Sequence, residues 1–291
     1  MKRTLFLATI VASIVALISS CRVTGIEQLS RFPAAQTELP AEFTLVNWNV
    51  HKGTSPQIRD ELRALVRRES PDLLFLQEAK ADLYEADPSE EARLGGFLAR
   101  SWRYPWPRGD TVGVSTLSRV APRWVESVPT QWRELIVTAP KASLVAEYPV
   151  GNGATLLVVN VHCMNFERWG TRKLRSQLAD LQRVMARHDG PILLAGDFNT
   201  WNQRRLALID KLANDLRLRE VEDFDGQRMT GARRWRCANW LLGIDKELPL
   251  DRVYYRGLVP GGATVLGYES SDHKALRVTF SVARASQEAN G

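Results

Sequence analysis

The chain has 291 residues, of which 44% are apolar and 25% charged, so it can bury a substantial core and is neither a disordered nor a fibrous sequence. Its three cysteines are too few for a scaffold built on disulfides. The net charge of +6 and a pI near 9.4 suit an anionic partner, such as a phosphate ester, a nucleic acid or a membrane surface, but equally suit ordinary solubility.

The first 21 residues have the order of a secretory signal. Lys2 and Arg3 precede an uncharged apolar stretch, residues 5–18, which is shorter than the about 20 residues of a membrane span. The stretch is followed by Ser19-Ser20-Cys21, and this boundary is similar to a bacterial lipobox, in which Cys21 would carry lipid after cleavage. We therefore expect a cell-envelope protein, secreted or lipid-anchored, with an uncleaved membrane anchor or a cytoplasmic protein as the alternatives.

The segment that follows, residues 22–41, contains Pro33 and Pro40 and is predicted to be a tether. Residues 42–282 contain no internal repeat, low-complexity block or Gly/Ser linker, so we expect one domain there and a tail over residues 283–291. We also expect a monomer.

Strand and helix patterns alternate along this domain. Predicted strands cover residues 43–50, 73–76, 112–117, 143–150, 154–161, 192–195, 252–255, 263–266 and 275–280. One predicted helix begins at Ser55-Pro56, a second follows the apolar spacing of Leu174 to Met185, and a third covers residues 203–216. Gly151-Asn152-Gly153 predicts a hairpin between two strands. This mixture predicts an α/β sandwich of two packed sheets with helices outside.

Polar residues follow or precede the apolar strands at five places. They are Asn49, Glu78, His162, the pair Asp197 and Asn199, and the pair Asp272 and His273. The ends of strands in a rigid sheet can present side chains to one cleft, and these residue types suit a hard metal ion and acid–base work on a phosphate ester. Each residue alone has a plainer explanation, since an Asp after a buried strand commonly caps a helix and a lone Glu or His is commonly structural.

Six short motifs occur along the chain, and their order matters as much as their residues. They are Trp48-Asn49-Val50-His51-Lys52-Gly53, Leu76-Gln77-Glu78, Asn160-Val161-His162, Gly196-Asp197-Phe198-Asn199, Leu250-Asp251-Arg252-Val253 and Ser271-Asp272-His273. The set resembles that of the endonuclease/exonuclease/phosphatase (DNase I-like) superfamily over residues 43–281. The sequence around several of the motifs is similar to that of the bacterial YafD-like branch of this superfamily. The resemblance implies a four-layer α/β sandwich of two packed mixed β-sheets flanked by helices.

The resemblance also implies a metal-dependent hydrolase of phosphate esters. Glu78 would hold Mg²⁺, with Mn²⁺ as the alternative, and Asn49 and Asp272 would be further ligands. Asp197 would activate the attacking water, and Asn199 and Asn165 would contact the phosphate.

The resemblance gives the histidines roles as well. Asp251 would orient His273, which would stabilise the phosphoryl group or protonate the leaving group, and His162 would be the second histidine of the cleft. AP endonucleases carry Tyr where this chain has His162, which places the chain nearer to DNase I and the neutral sphingomyelinases. His51 stands where several relatives have an acidic or amide residue.

Two stretches, residues 102–108 and 233–240, mix Arg with Trp. Arg can neutralise phosphates while Trp stacks on bases, although the same residues suit a lipid surface or loops that fold Trp onto the core. We expect a phosphodiesterase acting on nucleic acid. The alternatives are a phospholipid or sugar-phosphate hydrolase and, from another class, a catalytically silent envelope protein that binds anions. A disulfide between Cys163 and Cys237 is left open.

Overall fold

The computed structural model describes residues 25–84, 94–103, 111–133, 140–167, 170–224 and 249–283. Two mixed β-sheets pack face to face, with helices on their outer sides. This confirms the predicted four-layer α/β sandwich of the DNase I-like type.

The described residues form thirteen strands and three helices. The strands are β1 (Ile26–Ser30), β2 (Glu42–Asn49), β3 (Leu73–Lys80), β4 (Gly95–Arg103), β5 (Thr111–Ser118), β6 (Trp124–Arg133), β7 (Pro140–Val150), β8 (Ala154–His162), β9 (Ile192–Asp197), β10 (Arg219–Glu220), β11 (Asp251–Arg256), β12 (Leu258–Leu266) and β13 (Ala275–Val282). The helices are α1 (Ile58–Glu69), α2 (Arg172–Met185) and α3 (Gln203–Asp215), and short 3₁₀ turns cover His51–Gly53 and Gly151–Gly153.

The strand order is β1-β4-β5-β3-β2-β13-β12 in the first sheet and β10-β11-β9-β8-β7-β6 in the second. The pairs β2/β3 and β8/β9 are parallel, and the other neighbours within the sheets are antiparallel. The two strands of each parallel pair end at the same edge of their sheet, so side chains at those carboxyl ends can lie close together.

Alternation along β2 shows how the sequence builds the layers. Phe43 and Leu45 point into the core between the sheets, while Val46 and Trp48 face the outer layer. A buried side chain of this kind contributes roughly 1.5–3 kcal/mol to folding, so the packed sheets form a rigid frame for their strand ends.

The helices cover the outer faces as their apolar spacing predicts. The buried residues of α1 are Ile58, Leu62, Leu65 and Val66, which pack on the seven-stranded sheet. This helix ends at Ser70, whose left-handed φ of 45° comes just before Pro71. Helices α2 and α3 pack on the six-stranded sheet through Leu174, Leu181 and Leu212, among others.

Four described strands were not predicted: β1, β4, β6 and β10. β1 comes from the segment predicted to be a tether and pairs with β4 at the edge of its sheet. β6 is an edge strand with Pro129 inside it and only one buried residue, so it has no clear alternation of apolar and polar residues. β4 begins with Gly95-Gly96, a pair that is typical of loops.

In the described part of the chain, no helix is long and apolar enough to cross a membrane. The predicted signal or anchor over residues 1–21 lies outside the described residues, as do Cys237, the stretch 233–240 and most of the stretch 102–108. Cys163 is described and is a buried free thiol.

Candidate active site

Polar side chains from both sheets meet at one end of the sandwich. Asn49, His162 and Asp197 are the last residues of β2, β8 and β9. Asp251 begins β11 and lies directly opposite Asp197 in the strand register. The Nδ2 of Asn49 donates a 2.9 Å hydrogen bond to Oδ2 of Asp197, which ties the two sheets together at this point.

Asp197 lies at the centre of this group and is buried. Its Oδ1 accepts the backbone N–H of Asn199 over 2.9 Å, while its Oδ2 accepts the Asn49 amide. Burial raises the pKa of Asp197 to about 6, with the charge of His273 opposing the shift and that of Asp251 adding to it. A carboxylate with this pKa is a stronger base than an ordinary Asp and is still ionised at neutral pH.

His162 lies beside Asp197 and is held by Lys141 from β7. The Nζ of Lys141 is 2.8 Å from Nε2 of His162. An ammonium group can only donate, so Nε2 accepts and His162 is the neutral tautomer with its proton on Nδ1. Burial and the charge of Lys141 lower the pKa of His162 well below its usual value, which agrees with this assignment.

The second histidine of the cleft has the opposite protonation state. The Nδ1 of His273 is 2.6 Å from Oδ2 of Asp251, and its Nε2 is 4.0 Å from Oδ2 of Asp197. Burial alone would lower the pKa of His273, but the Asp251 carboxylate and then Asp197 raise it to about 10. At neutral pH His273 is therefore an imidazolium that donates to Asp251 and presents its other N–H next to Asp197.

Glu78, which lies in β3, is the remaining charged residue at the centre of the site. Its Oε1 lies 3.7 Å from Lys141 Nζ and 3.8 Å from His162 Nε2, and its Oε2 lies 3.6 Å from Lys52 Nζ. Burial alone would raise the pKa of Glu78, but its cationic neighbours, Lys141 first and Lys52 among the others, lower it to about 2. Glu78 is thus a permanent carboxylate at physiological pH.

Asp272 and His51 lie on the rim of the same region. The Oδ1 of Asp272 is 3.1 Å from Nδ1 of His51. The hydroxyl of Ser271 donates to the backbone oxygen of Asn49 over 2.6 Å, which fixes the loop before β13 against the end of β2. His51 also donates its backbone N–H to the amide oxygen of Asn49 over 3.0 Å.

Unfavourable backbone conformations concentrate here. Among the described non-glycine residues, six have positive φ, and four of these belong to the site region: His51 (46°), Lys52 (60°), Glu78 (53°) and Asn199 (50°). Such conformations cost of order 1–3 kcal/mol each, and they persist where the surrounding structure fixes them. At Glu78 the strain coincides with a bulge in the β3/β5 pairing, which aims the carboxylate into the cleft.

A layer of buried amides lies directly beneath the charged groups. The Nε2 of Gln77 donates to Oδ1 of Asn47 over 2.8 Å and to Oδ1 of Asn160 over 2.7 Å. Asn47 and Asn160 are each two residues before a site residue, Asn49 and His162, so each pair shares one face of its strand. The amide layer links the two sheets and holds these strands in place.

The asparagines predicted to contact phosphate have defined positions. The Nδ2 of Asn199 donates to the backbone oxygen of Cys163 over 3.1 Å, which keeps Asn199 next to Asp197. The Oδ1 of Asn165 accepts the indole N–H of Trp201 over 3.1 Å. The structure thus gathers Asn49, Glu78, His162, Asp197, Asn199, Asp251 and His273 into one connected group, joins Asp272 to it through His51, and sets Asn165 against Trp201.

Within the described ranges, no group of three or more His, Cys, Asp and Glu side chains is arranged to hold a metal ion. The oxygen donors of Glu78 and Asn49 nevertheless fit a hard cation, because Mg²⁺ needs only one or two carboxylates and keeps several waters. The Oε2 of Glu78 is buried and accepts no hydrogen bond from the described residues, so it has a lone pair to offer.

No sequence motif indicated Lys141, although it contacts both His162 and Glu78. The position of Lys141 could have been inferred from the hairpin formed by β7 and β8. In β7 and β8 the register pairs Val150 with Ala154 and Ser143 with Val161. Continuing that count from the turn places Lys141 opposite Cys163, the residue after His162, and therefore close to the end of β8.

Comparison with known proteins agrees with this geometry. A sequence profile described as the Endonuclease/Exonuclease/phosphatase family matches residues 46–273. A UPF0294 protein of Vibrio campbellii is 31% identical over 245 residues, covering 83% of this chain and 78% of that protein. A UPF0294 protein of Klebsiella pneumoniae is 37% identical over 169 residues, covering 58% and 57%.

Solved structures share the fold at low sequence identity. An endonuclease/exonuclease/phosphatase from Beutenbergia cavernae superimposes with a TM-score of 0.61 and 17% identity, covering 84% of this chain and 72% of that one. The human nocturnin catalytic domain superimposes with a TM-score of 0.56 and 17% identity, covering 89% and 97%.

Proposed function

The chain belongs to the endonuclease/exonuclease/phosphatase family, and from this premise we propose that it hydrolyses phosphodiesters at the centre formed by Asp197, His273 and Glu78. The family acts on phosphate esters, as its name states. The Oδ2 of Asp197, the proposed base, lies 3.4 Å from Nε2 of His162 and 4.0 Å from Nε2 of His273, and this single observation carries the proposal. Neighbouring groups whose environments push their pKa values apart are typical of acid–base centres.

In the proposed reaction, water gives a proton to Asp197 Oδ2 while its oxygen forms a bond to phosphorus. The bond from phosphorus to one alcohol oxygen breaks on the opposite side, as in-line displacement requires. The departing alcohol takes a proton from solvent, and Asp197 returns its proton to solvent. The products are a phosphate monoester and a free alcohol.

The position of His273 favours one of its two predicted roles. Its Nε2 is 4.0 Å from Asp197 Oδ2, and therefore on the side of the attacking water. A general acid for the leaving alcohol would have to lie on the far side of the phosphorus. His273 thus donates a hydrogen bond to a phosphoryl oxygen as negative charge builds there, and Asp251 keeps it protonated and oriented.

Glu78 would hold the divalent cation, with Asn49 and Asp272 as further oxygen ligands. Mg²⁺ is the first choice and Mn²⁺ the alternative. Bound there, the cation would supply positive charge to the phosphoryl and leaving oxygens. Lys141 neutralises part of the negative charge of Glu78 and holds His162 neutral, so His162 remains available as an uncharged contact for the phosphate.

The test is hydrolysis of bis(p-nitrophenyl) phosphate by the full-length chain, with EDTA and then with added Mg²⁺ or Mn²⁺. We expect turnover that EDTA abolishes. Asp197→Asn should lower kcat by about 10²–10⁴-fold, the usual contribution of a general base. It should change the melting temperature little, since Asn avoids burying a charge but leaves one of the two donors to Asp197, the Asn199 N–H or the Asn49 amide, without its acceptor.

The matched control is Asp215→Asn, which changes a carboxylate on the exposed face of α3 that pairs with Lys211. This variant should keep full activity. Wild-type turnover by Asp197→Asn would remove Asp197 from the mechanism. A folded wild-type protein that turns over neither this ester nor plasmid DNA nor sphingomyelin would instead favour the silent anion-binding protein.

A further inference from the structure

The first described strand, β1, begins at the same end of the sandwich as the catalytic centre. It lies at the edge of the seven-stranded sheet, and the order from there inwards is β1, β4, β5, β3. Each of these strands is antiparallel to the next, so β1 as a whole runs opposite to β3. Because Glu78 is near the carboxyl end of β3, the amino end of β1 lies on the side of the sheet that carries the site.

The strand register locates this entry point more closely. Ile26 is opposite Ala99, and Ala99 is opposite Val114. Val114 lies across from the bulge of β3 that contains Glu78. Ile26 and Glu78 are therefore in one row of the sheet, separated by three strand spacings, or about 14 Å.

β1 is fastened to the body of the domain, although its sequence predicts a tether. The backbone N–H of Arg100 donates to the carbonyl oxygen of Gly25 over 2.9 Å, so the pairing with β4 extends to the first described residue. Just after β1, the ring of Phe32 packs on that of Phe97 with 5.5 Å between centroids. Of the predicted tether, only residues 22–24 precede this fixed part of the chain.

The predicted membrane attachment is thus tied closely to the catalytic centre. If Cys21 carries lipid, the chain from there to Gly25 spans at most about 14 Å when fully extended. An uncleaved anchor over residues 1–21 would end equally close. A link this short keeps the end of the sandwich that carries the site turned towards the bilayer, whereas a long flexible tether would let the domain rotate.

Partly exposed aromatic side chains lie at the same end, together with an exposed arginine. β6 and β8 run in the same direction, since both are antiparallel to β7, and Trp132 is near the carboxyl end of β6. Phe166 and Trp201 follow the carboxyl ends of β8 and β9, with 6.5 Å between their ring centroids. The guanidinium of Arg172 lies over the Trp132 ring at 5.2 Å from its centroid. Trp is enriched at the headgroup level of membranes, and Arg is attracted to anionic lipids.

The entry of the chain and these side chains point independently to a phospholipid surface next to the cleft. Resting on the phosphodiesterase function proposed above and on the predicted membrane attachment, we propose that the protein docks its active-site end on the bilayer and hydrolyses the phosphodiesters of lipid headgroups. The reaction is the one already described: water adds to phosphorus, one bond from phosphorus to an alcohol oxygen breaks, and a phosphate monoester and an alcohol result. A nucleic acid would have to enter between the cleft and anionic headgroups, which would repel it.

The experiment uses the full-length protein, purified from membranes and placed in vesicles of phosphatidylethanolamine and phosphatidylglycerol with the cation that supports turnover of bis(p-nitrophenyl) phosphate. Phosphorus NMR counts the lipid diesters that become monoesters. A flexible Gly/Ser segment of about 20 residues, inserted after Arg22, keeps the attachment but adds about 25 Å of random-coil slack. We expect this insertion to lower headgroup turnover by about fivefold or more and to leave turnover of the soluble ester unchanged, because the cleft is no longer held towards the bilayer.

The matched control carries the same segment in the turn Gly151–Gly153, where a Cβ on Gly151 or Gly153 would meet nothing within 4 Å. This turn directly precedes β8, whose other end carries His162, so it lies away from the site. The control should keep the wild-type rate on both substrates.

The outcomes separate this inference from the proposed function. Turnover of bis(p-nitrophenyl) phosphate without conversion of the vesicle lipids overturns the inference and leaves the proposed function standing. Equal headgroup turnover by the wild type and the variant with the insertion after Arg22 also overturns it, as does an intact mass that shows neither lipid on Cys21 nor the apolar segment. Absence of turnover on both substrates overturns the proposed function, and the inference falls with it.

Discussion

Lys141 contacts two residues of the centre, although no motif indicated it. It lies 2.8 Å from the Nε2 of His162 and 3.7 Å from the Oε1 of Glu78, and it lowers the pKa of both groups. A lysine that only filled space would affect folding alone. A lysine that sets the charge of the site would affect cation binding and catalysis in opposite directions.

Lys141→Met should therefore change cation binding and kcat in opposite directions. Removing a positive charge about 4 Å from Glu78 should strengthen divalent-cation binding by about 1 kcal/mol, roughly fivefold, since two unit charges at that distance interact by this amount in water. The kcat should nevertheless fall, because His162 loses its hydrogen-bond donor and its pKa rises towards the usual value. Titration of activity with Mg²⁺ measures both quantities.

Lys141→Arg serves as the conservative comparison, because it keeps the charge and a donor. It should recover part of kcat and restore the weaker cation affinity. If Lys141→Met weakens cation binding, the charge-setting role of Lys141 is wrong.

At the scale of elements, the approach of β9 to β8 depends on Gly196. Its φ is 149°, and a Cβ there would overlap the carbonyl oxygen of Val161 in the neighbouring strand. The next residues in each strand are Asp197 and His162, which are opposite each other in the register. A side chain at position 196 would thus separate the two strands at the point where they present the site.

Gly196→Ala should reduce hydrolysis strongly and lower the melting temperature, because overpacking and a strained φ together typically cost a few kcal/mol. Gly262→Ala is the control, since a Cβ there would meet nothing within 4 Å. Melting followed by circular dichroism and an activity assay on both variants test the prediction. Equal stability of the two variants would show that β8 and β9 tolerate the separation.

The same elements show how far the sequence could predict the fold. Strands with continuous apolar runs, such as β3 and β9, and helices with a regular apolar face, such as α1, were predicted because burial on both faces or on one face dictates their pattern. The edge strands β1 and β6 were not predicted, because a strand that pairs on one side only does not need a continuous apolar run.

Prediction of the site from the sequence has a different limit. Asn49, Glu78, His162 and Asp197 could be named because each borders an apolar strand, and Asp251 because of the family motif that contains it, although their roles stay predictions. The contacts that define the site run between the sheets, as in the bond from Asn49 to Asp197 across 148 positions of sequence. Such contacts depend on how the sheets stack, which a one-dimensional pattern does not contain.

The whole molecule assembles the site from two halves. The seven-stranded sheet supplies Asn49 and Glu78, with His273 from the loop before β13, and the six-stranded sheet supplies Lys141, His162, Asp197 and Asp251. The buried amides of Gln77 and Asn160 hold the halves together, and an unsatisfied buried amide costs about 1–3 kcal/mol, so the layer resists sliding of one sheet over the other. The protonation states of the site are thus a property of the closed sandwich.

Those protonation states predict a bell-shaped dependence of kcat/KM on pH. Asp197 must be ionised to accept a proton, and burial raises its pKa to about 6, so the rate should rise as pH passes through about 6. His273 must keep its proton to donate to the phosphoryl oxygen, and Asp251 holds its pKa near 10, so the rate should fall above about 10. Asp251→Asn removes the carboxylate that raises the pKa of His273, so the alkaline limb should move to lower pH while the acid limb moves slightly lower as well, because Asp251 also raises the pKa of Asp197. An alkaline limb that stays in place in Asp251→Asn would assign that limb to a group other than His273.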